Sequence, residues 1–331
     1  MALVKVFMPT YRRNDTFVRS VQSLLGQTFT DWHCSVHNDD PINPFPENYI
    51  TKLNDPRFSV INHTCNLGPV STFNLAFLNC AEKYLSILED DNWWEPDFLT
   101  VMVEVMESHQ TASIAWSNMR LWAEGPENTW LNTEKTVWQE TGEKIIEFAL
   151  PHYKQAYSAL HSNGAMLVRN KHLERLVTPE FIRFDFIEPI RERAIGYPML
   201  LVEAPLANFA LTIKTSRSGE LAGLYEHSLL LIDSFFNCIP DKDEYAVLLW
   251  NAARQDKLRS YLKLLYTGIT CKASRTLLRK ASISEWLIFF AYNIKHPYIL
   301  KNCFAAKTKY AKLWEYLLKN TTNSINEIRH F

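Results

Sequence analysis

From Val4 to about Ala210, short apolar runs alternate with amphipathic segments, the pattern of βαβ units around a mainly parallel sheet. LVKVFMP reads as the first strand. Phe17, Val18, Val21, Leu24 and Leu25 then recur at helical spacing, and Asn14 or Asp15 is placed to cap that helix by accepting its free amide hydrogens. WHCSVHNDD reads as a second strand that ends in acids, FSVINH as a third, and NLGPVSTFNLAFLNCA as a helix whose start carries Gly68 and Pro69. YLSILEDD gives a fourth strand and PDFLTVMVEVMESH the next helix. Further strands are expected at Ser113 to Trp116 and Gly164 to Arg169, and the polar and aromatic stretch from about Leu121 to Ser162 reads as a loop or lid.

After about Ser218 the strand signals stop. In Tyr245 to Tyr266 the positions Val247, Leu248, Trp250, Ala253, Leu258, Leu262 and Leu265 form one apolar stripe, and Pro297 opens a last helix at its favoured first position. In that helix Phe304, Tyr310, Leu313, Trp314 and Leu317 lie among Lys301, Lys307, Lys309, Lys312 and Lys319. The expected domains are therefore residues 1–217 and a helical extension, 218–331.

The net charge of −1 conceals an asymmetry between these parts. From Trp250 onward there are 15 Lys and Arg against 4 Asp and Glu, a net of +11, which leaves −12 on the first 249 residues. Cationic helices with aromatic residues on their apolar side fit an anionic membrane surface, and the competing reading is a helical bundle or homo-oligomer with lysines on its wet face. Nucleic acid is not an expected partner, because no binding motif accompanies the charge. The six cysteines form no CxxC pair, which argues against a zinc site or a disulfide framework. The start, MALVKVFMPT, lacks the apolar core of a secretory signal, and the cluster from Trp286 to Tyr292 is far short of the roughly 20 residues that span a bilayer. A cytoplasmic protein, peripheral at the inner face of the membrane, is expected.

Glu89, Asp90 and Asp91 concentrate the candidate chemistry. Three adjacent carboxylates repel one another, so a solvated acidic turn is the plain alternative to a cation site. Trp93, Trp94 and Pro96 directly afterwards argue against a merely solvated turn. At the C-terminal end of an open-sheet strand, where ligands bind, such oxygen donors suit Mn²⁺ or Mg²⁺ shared with substrate phosphates. A metal-dependent enzyme acting on a nucleotide is the reading this supports.

Several motifs in order then carry a resemblance. MPTYRRNDTFVRSVQSLLGQTF, VHNDD, NLGPVSTFN and LEDDNWWEPDFL together resemble glycosyltransferase family 2, the GT-A type family of inverting, nucleotide-sugar-dependent transferases, over about residues 2 to 215. The resemblance implies a GT-A (Rossmann-like) α/β domain with helices on both faces of its sheet, followed by the all-helical, basic C-terminal domain. It implies that Pro9 shapes a nucleotide-binding turn, that Thr10 and Tyr11 contact the base, and that Arg13, Asp39, Asn66, Gly68, Asn74 and Asp90 complete the nucleotide site. Asp91 matches the metal ligand, and Glu89, where an aspartate is more common, is a further candidate. In FDFIEPIRERAIGY, Asp185 stands six residues before Arg191 and matches the general base, with Glu188 the competing carboxylate. Trp94, Asn163, Gly164 and Arg191 are the candidate acceptor contacts. Phe73 stands before Asn74 where the family often has arginine.

The implied activity is sugar transfer from a nucleotide sugar, a UDP-sugar, to a glycan or lipid-linked acceptor in cell-surface polysaccharide synthesis (capsule, O-antigen or lipooligosaccharide). Two alternatives stand beside it. A sugar nucleotidyltransferase would share the architecture, although PTYRRND lacks the glycine-rich loop such enzymes use, and an inactive scaffold would keep the fold alone. Three bland readings apply elsewhere. His33, His37 and His63 read as satisfied strand or loop histidines. Trp116, Trp122, Trp130 and Trp138 read as core residues, with sugar stacking as the functional alternative. Asp185 could simply cap a helix beginning near Phe186.

Overall fold

A computed structural model of the chain describes residues 2–78, 80–126, 129–212, 221–255 and 260–328. β1 (Val4–Thr10) forms where the apolar run demands it, and Val4, Val6, Phe7 and Met8 are sealed on both faces, as in a central parallel strand. α1 (Asn14–Leu25), β2 (Trp32–Asn38), α2 (Phe45–Leu53), β3 (Phe58–Asn62), α3 (Pro69–Leu75), β4 (Tyr84–Ile87), β5 (Trp93–Trp94) and α4 (Phe98–Ser108) follow in order. Next come β6 (Ile114–Glu124), β7 (Trp130–Thr136), β8 (Ile145–Phe148), β9 (Met166–Arg169), α5 (Ile187–Glu192) and β10 (Met199–Leu211).

The strands form one sheet in the order β3-β2-β1-β4-β9-β6-β10-β5, with β7 on β6 and β8 on β10. β1, β2, β3 and β4 are mutually parallel, as are β6 and β10, whereas β9 runs antiparallel between β4 and β6. The chain grows outward from β1 through β2 to β3 and then returns to β4 on the other side of β1. The reversal makes the C-terminal ends of β1 and β4 the walls of a switch-point crevice, which is where an open sheet binds ligands.

Local departures from the sequence pattern have physical reasons. Asn14 and Asp15 lie inside the first turn of α1: the cap is Arg13, with no side-chain cap bond, and Arg12 before it is left-handed (φ 56°). α3 ends at Leu75, well short of the apolar run that follows it. The stretch from Leu121 to Ser162 is not one loop, since β6 runs on to Glu124 and β7 and β8 add to the sheet.

The chain packs as two units, residues 1–149, 161–184 and 195–216 forming the first and residues 150–160, 185–194 and 217–331 the second. The boundary expected at 217/218 lies outside the described residues, as does Leu258. Besides α5, the second unit contains α6 (Leu221–Cys238), α7 (Lys242–Gln255), α8 (Tyr261–Thr270), α9 (Ile283–Lys295), α10 (Pro297–Lys309) and α11 (Ala311–Ile328). The single stripe expected over Tyr245 to Tyr266 is thus divided between α7 and α8, and Val247 and Leu248 are exposed while Ala246, Leu249, Trp250 and Ala253 are buried. The helix opened by Pro297 likewise breaks at Tyr310. Leu313, Leu317, Ile299 and Cys303 are buried, which is the bundle reading for the apolar side of these two helices. Among the described residues no helix is long and apolar enough to cross a membrane.

Candidate functional site

The first unit gathers the predicted turn and the acidic run at the ends of β1 and β4. Register pairs Phe7 with Ile87, so the turn after Thr10 and the run from Glu89 to Asp91 leave the same edge of the sheet. Each acid meets a specific answer. The Tyr11 amide donates to Asp90 Oδ2 at 3.2 Å, and Arg13 Nη1 lies 3.9 Å from Asp90 Oδ1 and donates to Asp91 Oδ2. Glu89 turns away to accept from Asn92 Nδ2 at 2.6 Å. Burial pushes the Asp90 carboxyl up to about 6, against the opposing pull of the Arg13 charge and the Tyr11 amide. Arg13 thus sets a positive charge against the acidic run. Pro9 lies on β1 opposite His37, Thr10 is buried at the strand end, and Tyr11 is exposed beneath the Arg12 guanidinium, which reaches Asp40 at 2.8 Å.

Asp39 is held by a second network that sequence spacing does not reveal. Its amide donates to the Thr10 carbonyl at 3.0 Å, and its Oδ1 bonds His63 Nδ1 (2.8 Å) and the Leu67 amide (2.8 Å), while Oδ2 accepts from the Gly68 amide (3.1 Å). His63 Nε2 in turn meets His37 Nδ1 at 3.1 Å. The two histidines are satisfied residues, as the bland reading has it, and together they brace Asp39. Gly68 caps α3 at φ 78°, a conformation that costs a residue with a Cβ, and Asn66 before it is exposed. A carboxylate has about four acceptor sites. The described contacts use three of them on Asp39 and leave one on Oδ2.

Gly164 and Asn163 lie in a short 3-10 turn before β9, and the Gly164 carbonyl accepts the Trp94 indole N–H at 2.8 Å. A Cβ on Gly164 would stand 2.7 Å from Glu89 Oε2 and 2.8 Å from Asn92 Nδ2, so a larger residue here would displace those two side-chain ends. Trp94 itself is buried and stacked on Phe98 at 4.3 Å, which makes it a core support, not an exposed acceptor platform. Trp116 is buried too, stacked on Phe148. Trp93, Trp122 and Trp130 cluster instead, and the Arg19 guanidinium lies 3.8 Å from the Trp93 ring and 4.4 Å from the Trp130 ring. Arg19 also donates to the Asp91 carbonyl at 2.6 Å, and burial brings its pKa down to about 10. The contacts of Arg19 with Asp91 and of His63 with Asp39 are not visible in the sequence because they join residues 72 and 24 positions apart.

Asn74 is not turned to this edge. Its carboxamide is committed to Thr178, donating to the carbonyl at 2.6 Å and accepting the amide at 2.9 Å. In the second unit, Asp185 sits in a 3-10 turn before α5, half-buried, and does not cap it: the cap is Phe186 and carries no side-chain bond. Glu188 is half-buried in the first turn of α5, and Arg191 is fully buried.

Asp90 and Asp91 suit a divalent cation. Among the described residues no three Asp, Glu, His or Cys side chains form a closed cage. One or two carboxylates with water and phosphate completing the shell are, however, the usual arrangement for Mg²⁺, and the Arg13 guanidinium already marks the pair as a place for positive charge.

The family model described as Glycosyl transferase family 2 matches residues 5–176. The chain is 27% identical over 117 residues to the "Putative colanic acid biosynthesis glycosyl transferase WcaA" of Escherichia coli (strain K12), a match that covers 35% of this chain and 42% of that protein. It is 30% identical over 122 residues to the "Chondroitin synthase" of Escherichia coli, covering 36% of this chain and 17% of that one. The chain thus spans less than half the length of these curated relatives. Among solved structures, S. aureus TarS 1-349 in complex with UDP matches with a TM-score of 0.59 at 13% identity, over 99% of this chain and 90% of that one, a likeness of fold.

Proposed function

The chain belongs to glycosyl transferase family 2, and on that premise we propose that it moves a sugar, with inversion, from a UDP-sugar to a hydroxyl of a glycan or lipid-linked acceptor in cell-surface polysaccharide synthesis. The observation that carries the reading is the pairing of Asp90 and Asp91 with Arg13 and the Tyr11 amide at the switch point of the sheet. Relatives named for colanic acid and chondroitin synthesis, and a neighbour solved with UDP, support the substrate class.

In this reading Thr10, Tyr11 and the Asp39–Gly68 network receive the nucleoside, with the remaining acceptor site on Asp39 available to a base or ribose donor. Asp91, supported by Asp90, would hold Mn²⁺ or Mg²⁺, which when bound would supply Lewis-acid charge at the departing diphosphate. Glu89 is left out of the metal set because its carboxylate is engaged by Asn92. Arg13 exchanges its carboxylate partners for diphosphate oxygens when the donor arrives, so its charge stays within the site. Asp185 accepts the proton of the acceptor hydroxyl as that oxygen attacks the anomeric carbon from the face opposite the leaving group. The glycosidic bond forms as the bond to the diphosphate breaks.

The test is a panel of nucleotide sugars scored for donor hydrolysis and transfer, with Asp185→Asn as the variant. Transfer should fall by roughly 10²–10⁴-fold, the range for a lost general base, while UDP binding is retained. Near-normal turnover of Asp185→Asn would move the role to Glu188. No turnover of any nucleotide sugar would count against the transferase itself.

A further inference from the structure

α9 carries large apolar side chains on its inward and on its outward side. The inward face packs on the helical unit, where Phe289 meets Tyr266 with ring centroids 4.9 Å apart, Glu285 bonds Arg254 at 2.8 Å, and the helix is capped reciprocally by Ser282 and Glu285. The outward face carries Ile283, Leu287, Phe290 and Ile294, at 82%, 65%, 57% and 83% exposure. Spacings of four, three and four residues place them on one stripe, roughly 16 Å long at the helical rise. Four large aliphatic and aromatic side chains in line on a well-formed helix are not the scattered apolar residues of an ordinary surface.

The charges around the stripe identify its occupant. From Cys271 to Tyr310 Glu285 is the single acid, and it is buried against Arg254. Eight Lys and Arg lie in the same stretch, and Lys307 and Lys309 are bound to the buried acids Asp233 and Glu226. The other cations, among them Arg279 and Lys280 just before α9, Lys295 at its end and Lys301 on α10, share this stretch with no acid but Glu285, which is committed to Arg254. Tyr298 and Phe304, both exposed, flank Lys301. A second copy of the chain would bring the same cationic rim against itself. An apolar stripe rimmed by cations is complementary to lipid acyl chains beneath anionic headgroups.

We infer that the outward face of α9, with its cationic rim, docks the protein on an anionic lipid surface, Leu287 and Phe290 entering the interface. This rests on the proposed lipid-linked acceptor only for its purpose, not for its evidence. It also relocates the attraction expected from the basic tail, because Lys307 and Lys309 hold the bundle together while the rim of α9 faces outward.

The full chain is tested by flotation with mixed phosphatidylglycerol–phosphatidylcholine vesicles and with phosphatidylcholine alone, against the double variant Leu287→Asp, Phe290→Asp. The wild type should float with the anionic vesicles, release as salt is raised, and stay unbound to the neutral ones. The double variant should lose about tenfold or more of that partitioning, with an unchanged melting temperature and unchanged metal-dependent UDP binding. Wild-type protein that ignores anionic vesicles, or a double variant that floats equally well, overturns the inference. So does a variant that floats equally but sediments as a smaller species, which assigns the face to self-association. A wild type that binds UDP and does not float fails the membrane face alone, and one that floats without binding UDP fails the transferase reading alone.

Discussion

Gly164 is where a single methyl group tests the site. Its added Cβ would meet Glu89 Oε2 and Asn92 Nδ2, which are already bonded to each other at 2.6 Å, so Gly164→Ala must part them or move the loop. Leaving one partner unsatisfied costs about 1–3 kcal/mol, and the loop carries Asp90 and Asp91. Gly164→Ala should therefore lower both the melting temperature and UDP affinity. Unchanged UDP affinity would show that the acidic loop is independent of Glu89. His37 makes a different prediction. Burial, with the neighbouring His63 and Lys5, depresses its pKa to about 4, below the 6.5 of an unfolded histidine. The unfolded chain then takes up a proton that the folded chain refuses, so stability is full above pH 6.5 and declines as pH falls toward 4. The limit is on the order of 3 kcal/mol. His152, brought to about 4 for the same reason, adds its own share. Denaturant unfolding from pH 8 to 4 should show a smaller loss for His37→Gln than for wild type, and parallel curves would remove His37 as a source of the acid sensitivity.

At the scale of elements, the second unit is organised by acids buried in α6. Asp233 is fully buried, accepting from Ser274 Oγ at 2.8 Å and bonding Lys307 Nζ at 2.6 Å, and Glu226 bonds Lys309 and the Tyr310 hydroxyl. Removing one member of such a pair strands a buried charge, a loss of about 3–5 kcal/mol. Lys307→Met should destabilise by that order, and Lys301→Met, on the same helix and exposed, by far less. Equal midpoints for the two would deny that α10 is anchored through Asp233. The same contrast shows what was legible in the sequence. Strands β1 and β4 could be read because buried parallel strands are near-continuous apolar runs, and β2 because Trp32, Cys34 and Val36 recur at every second position. β7 could not: in WLNTEKT both faces are half or fully exposed, so no alternation marks it as a strand. The bond between Lys307 and Asp233 spans 74 positions, and the stretch from Lys301 to Lys319 alone reads as a cationic surface. In the same way the ordered motifs lead to Asp39, Asp90 and Asp91, whereas the contacts that brace them, His63 on Asp39 and Arg19 on the Asp91 carbonyl, span 24 and 72 positions and leave no local pattern.

The whole molecule divides its charge as it divides its packing. An acidic sheet unit carries the carboxylates that want a cation, and a basic helical unit carries the face that wants an anion. The central claim is that Asp90 and Asp91 form a cation site that operates only together with a nucleotide, with Arg13 holding the place meanwhile. Its most direct test is UDP binding by calorimetry with and without Mn²⁺, for wild type and for Asp91→Asn. Coupling between metal and nucleotide of ordinary size predicts that Mn²⁺ tightens UDP binding to the wild type by about tenfold or more, and that Asp91→Asn abolishes the increase while keeping the metal-free affinity. UDP affinity that is the same with and without Mn²⁺ in the wild type, or an increase that survives in Asp91→Asn, would contradict it.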